Sequence, residues 1–281
     1  MRNLDVSIIK DEVKRLFLEA NFDISDDISN KIKNCYEKEV SIIGKSVLEQ
    51  IMKNHEIAKE EKIAICQDTG MSVVFVELGE EINLFGGNIS DAINSGVKEA
   101  YVKGYLRKSI VDDPLFERKN TNDNTPAVIY IDIVKGDKVN IKVSAKGFGS
   151  ENMSALRMLK PADSINGVKE FIIKTVKDAG PNPCPPIVVG VGIGGTAEKA
   201  MLLAKKSLFR EIGENNKNEN YKKLENELLE EINNLGIGPA GLGGINTALA
   251  VNIEYFPTHI AGLPVAVNIC CHASRHKEVT I

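Results

Sequence analysis

Three cysteines stand where apolar runs meet loops: Cys66 in AICQDTG, Cys184 in GPNPCPPIVV, and one of the adjacent pair Cys270 and Cys271 in AVNICCHAS. A thiolate is a soft metal ligand, and these lie too far apart in sequence for a CxxC zinc ribbon or a ferredoxin run. With His272 or His276 as a fourth ligand they would make a closed Cys₃His zinc site. Without one they would hold an iron–sulfur cluster with one iron open to substrate, and an open metal is a Lewis acid that polarises a hydroxyl or carboxylate. The bland alternative is three buried thiols. Cys35, in the helical stretch KIKNCYEK, is read as packing or surface and left out of the site. Arg107, Arg118, Arg275 and amides in glycine-rich loops suit an anionic substrate, because a guanidinium clamps a carboxylate in bidentate fashion.

Two stretches carry most of this chemistry. CQDTG at 66–70 puts a thiol, an amide, a carboxylate and a hydroxyl on one turn. Asp68 capping its own backbone would explain the Asp, Thr and Gly, and would leave Cys66 unexplained. In the second stretch, Pro183, Pro185 and Pro186 stiffen the chain around Cys184, since proline fixes φ and has no N–H. Ile187–Val191 then reads as a buried strand, and the glycines after it lead into a helix at Thr196, whose free amides would favour an anion. Gly190, Gly192 and Gly195 match G-x-G-x-x-G, so a nucleotide-dependent oxidoreductase is an alternative. That fingerprint needs a second strand ending in an acidic residue about twenty residues on, and Glu211–Glu219 has no strand character. The glycines are instead read as backbone thinned beside something bulky.

The elements that must hold these residues follow from periodicity. Helical spacing covers 7–20, 26–39 and 41–60, a helical layer over residues 1–60. A strand over 71–78 follows CQDTG, then a helix over 90–105 and a long polar loop to Ala127. Residues 127–134 and 138–145 alternate about Lys135–Lys138, which predicts a β-hairpin. The run 146–152 breaks it and opens another helix. Helices are expected over 164–178, 197–212 and 221–235, a second glycine-rich loop at 236–244, an apolar run at 247–253 and a last strand at 265–269. The expected fold class is mixed α/β (α+β), helices around mixed and antiparallel strands. The expected organisation is one catalytic domain over 1–281, with a cluster-binding core at 61–281. A formal charge of −4 without a basic patch argues against nucleic acid. No apolar run reaches membrane length, and charges interrupt the N-terminal residues where a signal peptide would be apolar, so a cytoplasmic location is expected.

Taken in order from Cys66 to Lys277, CQDTG, DPLFERKNTNDNTPA at 113–127, KGFGSENMS at 146–154, GPNPCPPIVVGVGIGGTAEKA at 180–200 and GIGPAGLGG at 236–244 form a specific set. They resemble the α subunit, or N-terminal catalytic region, of iron–sulfur class I fumarate hydratases and L-tartrate dehydratases. The resemblance implies that Cys66, Cys184 and Cys271 bind a [4Fe–4S] cluster whose open iron takes the substrate. It implies Asp68 and His259 as catalytic groups, Gln67 and Arg107 as substrate contacts, and the Gly149 amide as a further one. The family carries a single Cys before His-Ala where this chain has two, so the third ligand is Cys270 or Cys271. Alternation points the two to opposite faces, and Cys271 is taken. The implied reaction is hydration of fumarate to L-malate, with dehydration of L-tartrate to oxaloacetate as alternative. Single-chain members continue into a domain that supplies a Lys, a Thr and an Arg. The resemblance therefore implies a separate β subunit and a dimer of heterodimers acting on a small dicarboxylate. A zinc-structured interaction domain is the alternative from another functional class.

Overall fold

A computed structural model describes residues 1–281. In chain order its first elements are β1 (Arg2–Asp5), α1 (Val6–Phe22), α2 (Asp26–Lys38), α3 (Ile42–Glu61), β2 (Met71–Gly79), β3 (Ile82–Phe85) and α4 (Ile89–Lys103). β4 (Val128–Val134), β5 (Val139–Lys146), the single turn α5 (Phe148–Glu151), β6 (Ala155–Leu159) and α6 (Ser164–Ala179) follow. The chain ends with β7 (Ile187–Gly194), α7 (Ala197–Ser207), α8 (Glu219–Asn233), β8 (Ala248–Phe256), β9 (Leu263–Cys270) and β10 (His276–Thr280). This is the expected mixed α/β class. The chain forms two compact units, the first from residues 1–24, 55–148 and 275–281, the second from 25–54 and 149–274. No helix is long and apolar enough to cross a membrane.

In the first unit α1 buries Ile9, Val13, Leu16 and Phe17 along one stripe, and its start is capped by Asp5, which accepts the Ser7 amide at 2.8 Å. α1 lies against α4 so closely that a Cβ on Gly96 would stand 2.5 Å from the Lys10 carbonyl oxygen. Both helices cover a sheet in the order β10-β5-β2-β4, with Val74, Val76, Ile141 and Val143 in the core. The predicted hairpin does not form. β2 lies between β4 and β5, parallel to the first and antiparallel to the second. β2 is buried from Ser72 to Val76, while β4 exposes Ile131–Val134 and takes the edge. The Lys135–Lys138 turn wraps the end of β2, accepting the Gly79 amide at Lys138 and the Glu81 amide at Gly136. Gly79 permits this: its Cβ would be 2.4 Å from the Gly136 oxygen.

In the second unit the sheet runs β6-β9-β7-β8. β7 alternates cleanly: Ile187, Val189, Val191 and Ile193 join Val168, Ile172 and Val176 of α6 and Leu228 and Ile232 of α8 in one core. On the other face Gly190 and Gly192 lie under α7. A Cβ on them would stand 2.2 Å from the Ala204 oxygen and 2.0 Å from the Ala200 oxygen. The thinning expected from the sequence is thus for a packed helix. β7 and β8 are parallel, joined through α7 and α8. α7 stops at Ser207, short of the expected Ile212, and β1, β3, β6 and β10 are strands that periodicity did not reveal. The helix expected from 146–152 is one turn, followed by β6.

Candidate active site

In the first unit the Cys66–Gly70 turn is held from several sides. Asp68 accepts the Gly70 amide on Oδ1 at 3.0 Å and the Phe148 amide on Oδ2 at 2.8 Å, and its carbonyl accepts from Nη1 of Arg275. Thr69 donates its hydroxyl to the Arg107 carbonyl at 2.9 Å. Tyr101 donates to the Thr69 carbonyl at 2.6 Å, and Asn124 to the Gly70 carbonyl at 3.2 Å. Burial pushes the Tyr101 phenol up to about 12, so it stays a neutral donor. Gly70 has φ +77 and presses on β5, where its Cβ would be 2.6 Å from the Ala145 carbonyl carbon. Cys66 is half-buried and Gln67 exposed. Each Asp68 oxygen therefore already accepts an amide, as a turn-capping carboxylate would.

In the second unit Cys184 is exposed, with φ +56, a left-handed backbone that a side-chain-bearing residue rarely adopts. Its loop is braced by the second glycine-rich segment. The Ala240 amide donates to the Pro185 carbonyl at 2.8 Å, and Gly241, at φ +76, sits where a Cβ would be 2.4 Å from the Pro181 Cβ. Glu39, at the end of α2, clamps the far side of that segment. It accepts the amides of Val40, Ser41 and Ile245 and, at 2.7 Å, the Asn246 side chain. Burial pushes the Glu39 carboxyl up, but these four donors outweigh it and hold it below the usual glutamate range.

β9 is antiparallel to β7, and Cys270 pairs with Val188. Cys271, just beyond the strand, thus lies at the same end of the sheet as the Cys184 loop. Cys270 is 7% exposed and Cys271 half-buried. His259 lies at the other end, in the β8–β9 loop, where Thr258 donates to the Gly195 carbonyl at 2.8 Å. Seven strand steps, roughly 23 Å at about 3.3 Å each, separate Ile187 from Gly194. The structure therefore does not bring His259 to Cys184 and Cys271. Its Nδ1 accepts the Ala261 amide at 3.2 Å, which leaves Nε2 outward on an exposed ring.

Arg107 is exposed in the first unit, and Gly149 is exposed in the second, on α5. The α5 segment is tied down by Glu151, which pairs with Lys205 and accepts from Asn268 at 2.9 Å. Glu39, Tyr101, Asn124 and Asn268 were not picked out from the sequence. Their side chains answer backbone groups or residues far along the chain, and no local pattern marks them.

Of the five cysteines, none is disulfide-bonded, and Cys66, Cys184 and Cys271 are the three whose residues reach the surface. Cys35 is buried, which pushes its thiol up and keeps it from acting as a thiolate. Cys66 belongs to the first unit and the other two to the second, and within neither unit do three His, Cys, Asp or Glu side chains converge on a metal-sized site. Taken singly, each of these thiols is accessible and of the donor type that an iron–sulfur cluster takes. The dinucleotide alternative fares worse, because α7 covers the faces of Gly190 and Gly192 that a pyrophosphate would need.

A Methanocaldococcus jannaschii protein, provisionally named an L(+)-tartrate dehydratase subunit alpha, is 46% identical over 271 residues, 95% of each chain. The Escherichia coli K12 and Shigella sonnei proteins named L(+)-tartrate dehydratase subunit alpha are each 34% identical over 258 residues, 91% of this chain and 85% of theirs. The family described as fumarate hydratase (Fumerase) matches residues 10–280, and this chain belongs to that family.

Proposed function

We propose that this chain is the α subunit of an iron–sulfur hydro-lyase that dehydrates L-tartrate to oxaloacetate. Hydration of fumarate, which sequence reasoning put first, becomes the second reading. The observation that carries the order is that relatives named for tartrate dehydratase align along nearly the whole chain. Their designation as subunit alpha supports a separate second subunit. A single catalytic domain built from both units remains part of the proposal.

Cys66, Cys184 and Cys271 would hold a [4Fe–4S] cluster. Bound there, it would supply a Lewis-acidic iron that makes hydroxide a better leaving group. The other roles fall to side chains and amides. Arg107, exposed and beside the CQDTG turn through its carbonyl, would clamp one substrate carboxylate. Gln67, exposed on that turn, and the Gly149 amide would orient the substrate. Asp68 would have to release an amide to accept a proton from carbon, so the base is Asp68 or a group of the second subunit. In the elimination the C–O bond at one carbon breaks, the proton on the other leaves, and the resulting enol tautomerises to oxaloacetate.

The test is anaerobic co-expression with the cognate second subunit, reconstitution with iron and sulfide, and assay on L-tartrate, fumarate and L-malate. Oxaloacetate from L-tartrate with kcat/KM at least about tenfold above that for fumarate is expected, a difference of about 1.4 kcal/mol in transition-state binding. The reverse order would install the fumarate reading. A colourless protein with stoichiometric zinc would exclude both.

A further inference from the structure

We propose that Arg275 is the positioning residue of the Cys66–Gln67–Asp68 turn. The inference rests on the hydro-lyase reading only for what the turn does, and its geometry lies wholly within the first unit. Arg275 is 4% exposed. Its backbone is fixed where its carbonyl accepts the Ala145 amide at 3.0 Å, and from there its side chain reaches the turn, with Nη1 donating to the Asp68 carbonyl. Nη2 faces Gly147, whose missing Cβ would stand 3.2 Å from Nη2 and 3.2 Å from Asp68 Oδ2. A side chain at 147 would crowd both the guanidinium and the carboxylate. Nε is buried and has no hydrogen-bond partner.

Burying a guanidinium is costly, and a buried charge is a poor stabiliser compared with an apolar side chain of similar volume. A buried arginine with an unsatisfied N–H therefore asks for a reason other than stability. The turn supplies one. Residues 66 and 67 lie in irregular backbone between the Ile65 amide, held by the Asn21 carbonyl at 2.9 Å, and Asp68. The guanidinium on the Asp68 carbonyl fixes the C-terminal side of the Cys66–Gln67 pair, and so fixes where the thiol and the amide point. Lysine would keep the charge and could still donate to the Asp68 carbonyl, but without the planar fork.

The experiment uses the full chain without cluster, folded by circular dichroism, in Arg275→Met, Arg275→Lys and wild-type forms. Iodoacetamide labelling is followed by peptide mass spectrometry, with Cys184 as internal reference. The Cys66 to Cys184 labelling ratio should rise at least fivefold in Arg275→Met and by an intermediate factor in Arg275→Lys, while the melting temperature of the Met form stays at or above that of wild type. A ratio within twofold of wild type in Arg275→Met overturns the proposal, because an arginine serving only stability would move the melting temperature and leave the ratio alone. If the Met form does not fold, Gly147→Ala, which crowds the same guanidinium, is read by the same ratio and the same threshold. In the reconstituted two-subunit enzyme on L-tartrate, Arg275→Lys should lower kcat at least tenfold with KM within threefold. The labelling arm needs no substrate, so it stands or falls apart from the tartrate reading.

Discussion

At Cys184 a side-chain-bearing residue stands at φ +56, between prolines and braced by the Ala240 amide on Pro185. Holding a non-glycine residue there costs about 1–2 kcal/mol, which is kept only where surrounding contacts over-determine it. Accessibility separates the five thiols in the same way: Cys66, Cys184 and Cys271 reach solvent, and Cys35 and Cys270 are 5% and 7% exposed. Serine at any of the first three is expected to leave the reconstituted chain with less than half the wild-type iron and acid-labile sulfide. Serine at 35 or 270 should leave both unchanged, and full iron in Cys271→Ser beside loss in Cys270→Ser would reverse the third assignment. Glu39 gives a stability test. Replacing it with Gln turns one accepting oxygen into a donor facing amides and should cost about 2–3 kcal/mol by urea denaturation at pH 7. Because the folded Glu39 carboxyl lies below its ordinary value of 4.5, its contribution is complete above that range and is lost as pH falls through it toward the lower folded value. The wild-type and Glu39→Gln stabilities should therefore converge in acid; a gap that persists well below the glutamate range would show that the carboxylate charge is not the cause.

The helix α7 and the strand β7 meet backbone to backbone, and the two glycines that allow it are the ones that imitate a nucleotide fingerprint. Gly192→Ala would drive a methyl into the Ala200 carbonyl at 2.0 Å and should cost about 3 kcal/mol or more, a visible loss of melting temperature. Gly236→Ala, at φ +68 with nothing within 4 Å, meets only the backbone penalty and should cost about 1 kcal/mol. Equal losses at the two positions would mean that strain, and not the helix, explains Gly192. The apolar runs and glycine turns of these elements were readable in order along the chain. The spans of α1, α2, α6 and α8 follow the sequence periodicity to within a few residues, because each is a stripe on one helix. β6 and β10 were not readable, since each is short, largely polar or solvent-facing, and becomes a strand only by pairing with β9 and β5.

At the scale of the whole molecule, the proposed two-subunit enzyme makes one more prediction. The reconstituted chain alone should be folded and coloured yet turn over L-tartrate at least about a hundredfold more slowly than with its cognate second subunit, since one face of the substrate would lack a wall against water and the groups that the second subunit supplies. Full activity from the chain alone would end the two-subunit proposal. The sequence by itself determined the chemistry on offer: the three thiols at strand–loop junctions, the CQDTG turn, the glycine segments and the family they resemble. Those are properties of short stretches, carried by residue type and spacing. Tertiary structure decided which of these residues meet. Alternation identifies β4 and β5 as strands but does not name a strand's neighbour, and β2 took the place between them. Likewise the direction of β9 against β7 set Cys271 at the Cys184 end of the sheet and His259 at the other. Strand direction and pairing depend on burial and hydrogen bonding between segments far apart in the chain, which no local pattern encodes.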